Sequence, residues 1–118
     1  MRIGVIGYGY VGSAVVAAHD RNLIMIHDPY KFEEWAHFSI ERIMEECGWI
    51  YLCLPTPSMA NGACDTSVLE DVMLKLKDYE GIVISKSTAP PKFYIDIQKE
   101  CGFNKKYKFK LSDYLYDF

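Results

Sequence analysis

The chain has 118 residues, enough for one domain and one core, since domains typically run about 100–150 residues. Half of the residues are hydrophobic and a quarter are charged, the balance of a soluble globular protein. A net charge of −3 gives no electrostatic reason to expect nucleic acid or an anionic membrane as a partner, and no apolar run approaches the roughly 20 residues of a bilayer span.

The elements alternate between apolar runs and helical patterns, which predicts an α/β fold: a doubly wound, mostly parallel sheet covered by helices. Residues 2–6 form a β-branched run that ends at a glycine, and Tyr10 to about Asp20 reads as a helix rich in small apolar residues. Met1-Arg2 leads straight into this first run, so the N-terminus does not read as a signal peptide, and the expected compartment is the cytoplasm. Leu23–His27 is a second strand, closed by Asp28-Pro29 because proline pushes the residue before it into extended geometry. A short helix is expected over 30–36, with His37-Phe38 as a vestigial third strand. Ser39 is placed to cap a helix over 40–47, which Gly48 would break before a buried strand over 49–54.

Pro55 and Pro57 stop that strand, 61–65 reads as loop, and Asp65 can cap a helix over 66–78. Gly81 precedes a strand over 82–86, and a Ser-Thr-Ala-Pro-Pro turn leads to a helix over 93–101 closed by Gly102. Tyr107, Phe109 and Leu111 alternate with Lys108 and Lys110, the pattern of a half-exposed edge strand. The same alternation, in an acidic protein, argues against reading the Lys105–Lys110 tract as a nucleic-acid site. About five to six strands in one domain spanning 1–118 is the expectation, with 103–118 as terminal strand and tail.

The chemistry concentrates at Gly7-Tyr8-Gly9-Tyr10-Val11-Gly12, a Gly-x-Gly-x-x-Gly sequence that directly follows a predicted strand and opens a predicted helix. In a Rossmann dinucleotide site the first glycine permits the tight turn, the second lets the backbone approach the pyrophosphate, and the third lets the helix pack on the strand. The helix start, at Tyr10 and Val11, offers unpaired N–H groups and partial positive charge to phosphate. Asp28 lies 21 residues after Gly7, near the spacing of about 20 expected of the acid that binds the adenosine ribose. A carboxylate there accepts from the ribose hydroxyls and repels a 2′-phosphate, which favours NAD over NADP, although Lys31 is a nearby cation. Asp28 also suits a simple turn before Pro29. Cys47, Cys53, Cys64 and Cys101 match no zinc spacing, so all four are read as structural thiols and no metal site is expected.

Three segments in order carry a family resemblance: 3–12 through the glycine turn, Cys53-Leu54-Pro55-Thr56-Pro57 with Gly62 and Asp65 after it, and Ser85-Lys86-Ser87-Thr88-Ala89-Pro90-Pro91. Together they resemble the N-terminal NAD-binding domain of the UDP-glucose/GDP-mannose dehydrogenases, which carry a Gly-x-Gly-Tyr-Val-Gly turn, a Val-Pro-Thr-Pro strand end and a Lys-Ser-Thr-Val-Pro-Pro turn. The resemblance covers roughly residues 1–92. It implies that Pro55, Thr56 and Pro57 line the NAD crevice. It also implies that Ser87 and Thr88 sit near the nicotinamide, with Thr88 organising a water or substrate oxygen at the reacting centre. Turn stabilisation by their hydroxyls is the alternative for Thr56 and Thr88. Lys86 reaches either solvent or the site.

The family reaction oxidises a nucleotide-sugar alcohol to a uronate and needs a second domain with a catalytic cysteine, which the 118 residues do not match. Cys101 falls in the wrong context for that nucleophile, Lys92 stands where the family has a glycine, and 111–118 only loosely echoes the family's Pro-Glu-Phe-Leu segment. Positioning of reactants is worth roughly 7–11 kcal/mol of barrier, and a lone cofactor domain has no second wall to provide it. NAD binding without sugar oxidation is therefore expected of these residues alone, and whether the chain is an enzyme in its own right is left open. A free-standing, non-enzymatic NAD or nucleotide-binding module is the alternative, and a structural protein with a degenerate site a third. Partners expected besides NAD are a separate substrate domain or a second copy, the latter through Tyr107, Phe109, Tyr114, Tyr116 and Phe118.

Overall fold

The computed structural model describes residues 1–101 and 109–111. Five parallel strands form one sheet in the order β2-β1-β3-β4-β5, with β1 Arg2–Ile6, β2 Ile24–His27, β3 Cys47–Leu52, β4 Ile82–Ser85 and β5 Phe109–Leu111. Helices α1 (Tyr10–Ala17), α2 (Ile40–Glu46), α3 (Ser67–Lys75) and α4 (Pro91–Cys101) make the connections. The strand count sits at the low end of the expected range, and the α/β, doubly wound fold class stands.

Two buried clusters explain the layering. Ile3, Val5, Ile24 and Ile26 pack with Val15 and Val16 of α1 on one face of the sheet. Ile6, Met25, Ile50, Leu52 and Val83 pack with α2, α3 and α4 on the other. A strand covered on both faces has no polar side to show, which is why β1 reads as a continuous apolar run. The chain runs from β1 outward to β2, then returns across β1 to begin β3 on its far side. Winding therefore reverses between β1 and β3, and in open α/β sheets such a switch point is where ligands bind, beyond the carboxyl ends of the strands.

Several boundaries move from their sequence-based positions for identifiable reasons. Helix α1 stops at Ala17 rather than near Asp20, because the Asp20 carboxylate accepts from the Asn22 amide (3.0 Å) and caps a separate 3-10 turn, Arg21–Leu23. The helix expected over 30–36 shrinks to the 3-10 turn Glu34–Ala36. Its flanks are taken up by bonds to the end of β2: Asp28 N–H donates to the Ala36 carbonyl (2.6 Å) and Phe38 N–H to the Ile26 carbonyl (3.2 Å). The vestigial third strand is a single antiparallel bridge, His27 to His37.

Ser39 caps α2 as expected, its Oγ accepting from the Arg42 amide at 3.1 Å. Gly48 does not break that helix. The helix ends at Glu46 and Gly48 lies inside β3, between the partners Arg2–Cys47 and Ile3–Trp49, where it is the extra residue of a β-bulge. Helix α4 begins at Pro91, two residues earlier than expected, since proline suits a first helical position. Strand β5 lies beside β4 at one end of the described sheet order. The aromatic side chains proposed for self-association, and Gly102 as a cap, fall outside what is described.

Candidate functional site

At the switch point the carboxyl ends of β1 and β3 border a cleft of about 980 Å³, within the range of small-molecule sites. The three glycines of the turn take three different roles there. Gly7 has φ +97°, and a Cβ on it would fall within 3.0 Å of the Cys53 carbonyl oxygen. A Cβ on Gly12 would fall within 3.0 Å of the Gly7 carbonyl oxygen, so α1 can lie this close to the strand end only without a side chain. Gly9 has no such neighbour: a Cβ there meets nothing within 4 Å. The fold itself has room for a Cβ at Gly9. What glycine leaves at that position is open space on the cleft wall, beside the start of α1.

Ser13 N–H donates to the Gly9 carbonyl (3.0 Å) as the first bond of α1. The amides of Tyr10, Val11 and Gly12 precede that bond and have no partner within the helix, and Tyr10 and Val11 line the cleft. No side chain caps this end. Asp28 stands opposite, nearly buried, and its carboxylate is held from both sides. Oδ2 accepts from the Tyr8 amide (2.8 Å) and Oδ1 from the Tyr30 amide (3.0 Å). The turn and ribose readings of Asp28 are thus compatible, since each carboxylate oxygen has further acceptor capacity. Pro29 and Tyr30 form the tip of a turn closed by Lys31 N–H to the Asp28 carbonyl (3.2 Å), and His37 Nε2 donates to the Lys31 carbonyl.

The far lip comes from the ends of β3 and β4. Pro55, Thr56, Ser87 and Thr88 line the cleft together with Lys86. Ser87 is buried; its Oγ accepts from the Leu54 amide (2.9 Å) and donates to the Leu52 carbonyl (3.4 Å). Thr56 Oγ1 donates to the Thr88 carbonyl (2.6 Å), so the Thr56 hydroxyl acts as a clasp between the two strand ends. Pro57 is not on the lining; its carbonyl accepts from Asp65 N–H (2.7 Å) and starts the loop toward α3. Gly12 likewise lies beneath the cleft rather than on it. Below the Ser87 turn, the buried Tyr94 hydroxyl lies 2.7 Å from Ser85 Oγ and donates to the Ser87 carbonyl (2.7 Å), anchoring the turn to α4.

Helix α3 supplies a wall that sequence reasoning missed, through Ser67, Val68, Asp71 and Lys75. Its only signal was a polar stripe four residues apart, Asp71 to Lys75, which pairs at 3.3 Å. Cys53 also borders the cleft, but burial pushes its thiol up to about 11 despite the opposing charge of Lys86. At neutral pH it is a protonated thiol, not a nucleophile. Among the described residues, Cys47, Cys53 and Cys64 are free, and no cluster of metal-ligating side chains occurs.

A parallel doubly wound sheet, a glycine turn with open space over its second glycine and an acid fixed at the end of the next strand define a Rossmann-type dinucleotide-binding domain. The sequence profile of the UDP-glucose/GDP-mannose dehydrogenase family, NAD binding domain, matches residues 25–114. The chain belongs to this family, and its cofactor is NAD. The match starts after the glycine turn, so turn and profile are separate indications. A protein of Bacillus subtilis (strain 168), YtcA, named as a candidate UDP-glucose 6-dehydrogenase, is 30% identical over 131 aligned positions, 85% of this chain and 30% of its own.

Two solved structures share the fold. A GDP-mannose dehydrogenase from Pseudomonas aeruginosa superposes with a TM-score of 0.69 at 16% identity, covering 94% of this chain and 35% of that one. A UDP-glucose dehydrogenase from the archaeon Pyrobaculum islandicum does so with a TM-score of 0.59 at 17% identity, covering 93% and 35%. The chain thus spans about a third of the length of these relatives.

Proposed function

We propose that these residues form the cofactor-holding part of a nucleotide-sugar dehydrogenase and hold NAD across the switch-point cleft. The pyrophosphate lies over Gly9 and the start of α1 at Tyr10 and Val11, with Gly7 and Gly12 shaping the turn. The adenosine ribose lies at Asp28, and the nicotinamide end lies toward Pro55, Thr56, Ser87 and Thr88. The observation that carries this is Gly9: of the three turn glycines it alone is not required by the fold, and the space beside it is where phosphate oxygens meet helix amides. NAD accepts a hydride when bound, and the chain's own contribution is to fix it. Of the two threonines, Thr88 is the one whose hydroxyl is free of bonds among the described residues, which suits it to orient a water or a substrate oxygen. Thr56 is committed to the clasp.

The 118 residues alone are expected to bind NAD without oxidising a sugar, because a second wall to position the alcohol is needed. Free thiols among the described cysteines support a reducing, cytoplasmic setting. No helix among the described residues is long and apolar enough to cross a membrane.

Isothermal titration with NAD, NADP and UDP-glucose tests the reading. NAD should bind, NADP should bind at least about tenfold more weakly because a 2′-phosphate meets the Asp28 carboxylate, and UDP-glucose should give no heat. Absence of NAD binding overturns it.

A further inference from the structure

Tyr30 is a large aromatic residue left 88% exposed, and it borders the cleft. It is not on a loose loop. Its own amide is bonded to Asp28 Oδ1 (3.0 Å), Pro29 fixes φ at the preceding residue, and the turn closes through Lys31 N–H to the Asp28 carbonyl (3.2 Å). His37 Nε2 ties the Lys31 carbonyl to the far side of the loop, and Asp28 N–H is tied to the Ala36 carbonyl. The backbone carrying the ring is therefore fixed while the ring itself is unpaired, with no aromatic contact of its own among the described residues.

Nearby aromatic residues differ. Trp35 is engaged by Tyr8 edge-on (5.0 Å between centroids) and by the Arg21 guanidinium (5.4 Å). Phe32 is 99% exposed but is not on the cleft.

We propose that Tyr30 is the stacking platform for the adenine base of the cofactor, an inference that rests on the NAD reading above. The ring sits two residues beyond the ribose-binding carboxylate, on the side of the cleft away from the β3 and β4 ends, where the base attached to that ribose must lie. A flat aromatic face carried on a fixed backbone gives a base its π contact once only the side chain's own torsions are ordered. It also makes the site select for a base at that end, independently of the contacts to phosphate and ribose.

Titration of NAD and ADP-ribose into the unsubstituted chain, Tyr30→Ala, Tyr30→Phe and Phe32→Ser tests this. Tyr30→Ala should weaken both ligands by the same factor, about tenfold, as expected for loss of one base–aromatic stack. Tyr30→Phe should stay within about threefold of the unsubstituted chain, since stacking needs the ring and not the hydroxyl, and Phe32→Ser should not change affinity. Ring-proton resonances of Tyr30 should shift on addition of AMP and not on addition of ribose 5-phosphate. Unchanged ADP-ribose affinity in Tyr30→Ala overturns the inference, as does an equal loss in Tyr30→Phe, which would assign the contact to the hydroxyl. If the unsubstituted chain binds neither ligand, the NAD reading falls first and this inference with it. An unchanged unfolding midpoint in Tyr30→Ala separates a binding effect from a structural one.

Discussion

The two lips of the cleft are built by different means. The β1–α1 lip is shaped by close backbone approach: at Gly7 and Gly12 any side chain would run into a carbonyl, and one side chain, Asp28, braces the turn at the Tyr8 amide. The β3–β4 lip is held by side chains, with Ser87 joined to Leu54, Thr56 to Thr88 and Tyr94 to the turn between them. Where backbone meets backbone, at Gly7 and Gly12, substitution is barely tolerated, whereas a lip made of hydroxyl clasps can lose a bond and still stand. In the proposed reading the first lip holds the diphosphate and the second faces the nicotinamide end.

The sharpest way to break this contrast lies within the glycine turn itself. Gly12→Ala places a methyl within 3.0 Å of a backbone oxygen that cannot rotate away, so unfolding free energy should fall by about 3 kcal/mol. Urea denaturation measures it, and an alanine variant as stable as the parent would mean that α1 does not press on the strand end. Gly9→Val should behave in the opposite way. Its stability should change by no more than about 0.5 kcal/mol, because nothing lies within 4 Å of the new Cβ. Its NAD affinity should fall about 100-fold, because the added branches occupy the place proposed for the diphosphate. Unaltered affinity would remove the pyrophosphate from this turn.

The same contrast governs what could be read in advance. The backbone lip was legible because Gly7 and Gly12 leave only one residue type available, and Gly9 between them and Asp28 at the next strand end complete a recognisable spacing. The strand–helix alternation was legible because each buried strand is a continuous apolar run. The hydroxyl lip was legible only through family resemblance, since Leu54 and Ser87 are 33 residues apart and no local pattern links them. Pro57 was placed on the cleft by that resemblance, yet its carbonyl serves the loop to α3. Gly48 was misplaced because a glycine after a helix usually closes it, and only the β1–β3 register reveals a bulge. The α3 wall carried no chemical motif, merely a surface ion pair of the kind most helices show.

Ser87→Ala tests the side-chain lip at an intermediate scale. It leaves the Leu54 amide without its partner in a region that is largely buried, which should cost about 1–2 kcal/mol of stability. The Leu52 carbonyl keeps its bond from the Lys86 amide (2.8 Å), so the strand ends should remain paired. NAD affinity should fall by less than tenfold, well short of the Gly9→Val loss. A loss in Ser87→Ala as large as in Gly9→Val would erase the distinction between the two lips.

The smallest expected effect concerns how α3 is brought to the cleft. Asp65 is one residue ahead of the formal cap, Thr66, whose side chain makes no capping bond. Asp65 Oδ1 instead accepts from Ser67 Oγ (2.6 Å) and from the Ser67 amide (3.0 Å). The hydroxyl bond first, and the amide bond second, hold the Asp65 carboxyl below its ordinary value of 3.8. A carboxyl whose folded pKa is depressed contributes stability at pH values above its unfolded pKa and loses it as pH falls through the folded pKa. The α3 start should thus loosen only under acid, and weakly, because the group faces solvent. Carboxyl-detected NMR titration should find the Asp65 midpoint below that of an unpaired aspartate. In Ser67→Ala the midpoint should rise but stay under the ordinary value, since the amide bond survives. A midpoint unmoved by that substitution would mean the hydroxyl does not hold the carboxylate, leaving the α3 wall set by the apolar packing of Leu69, Val72 and Met73 alone.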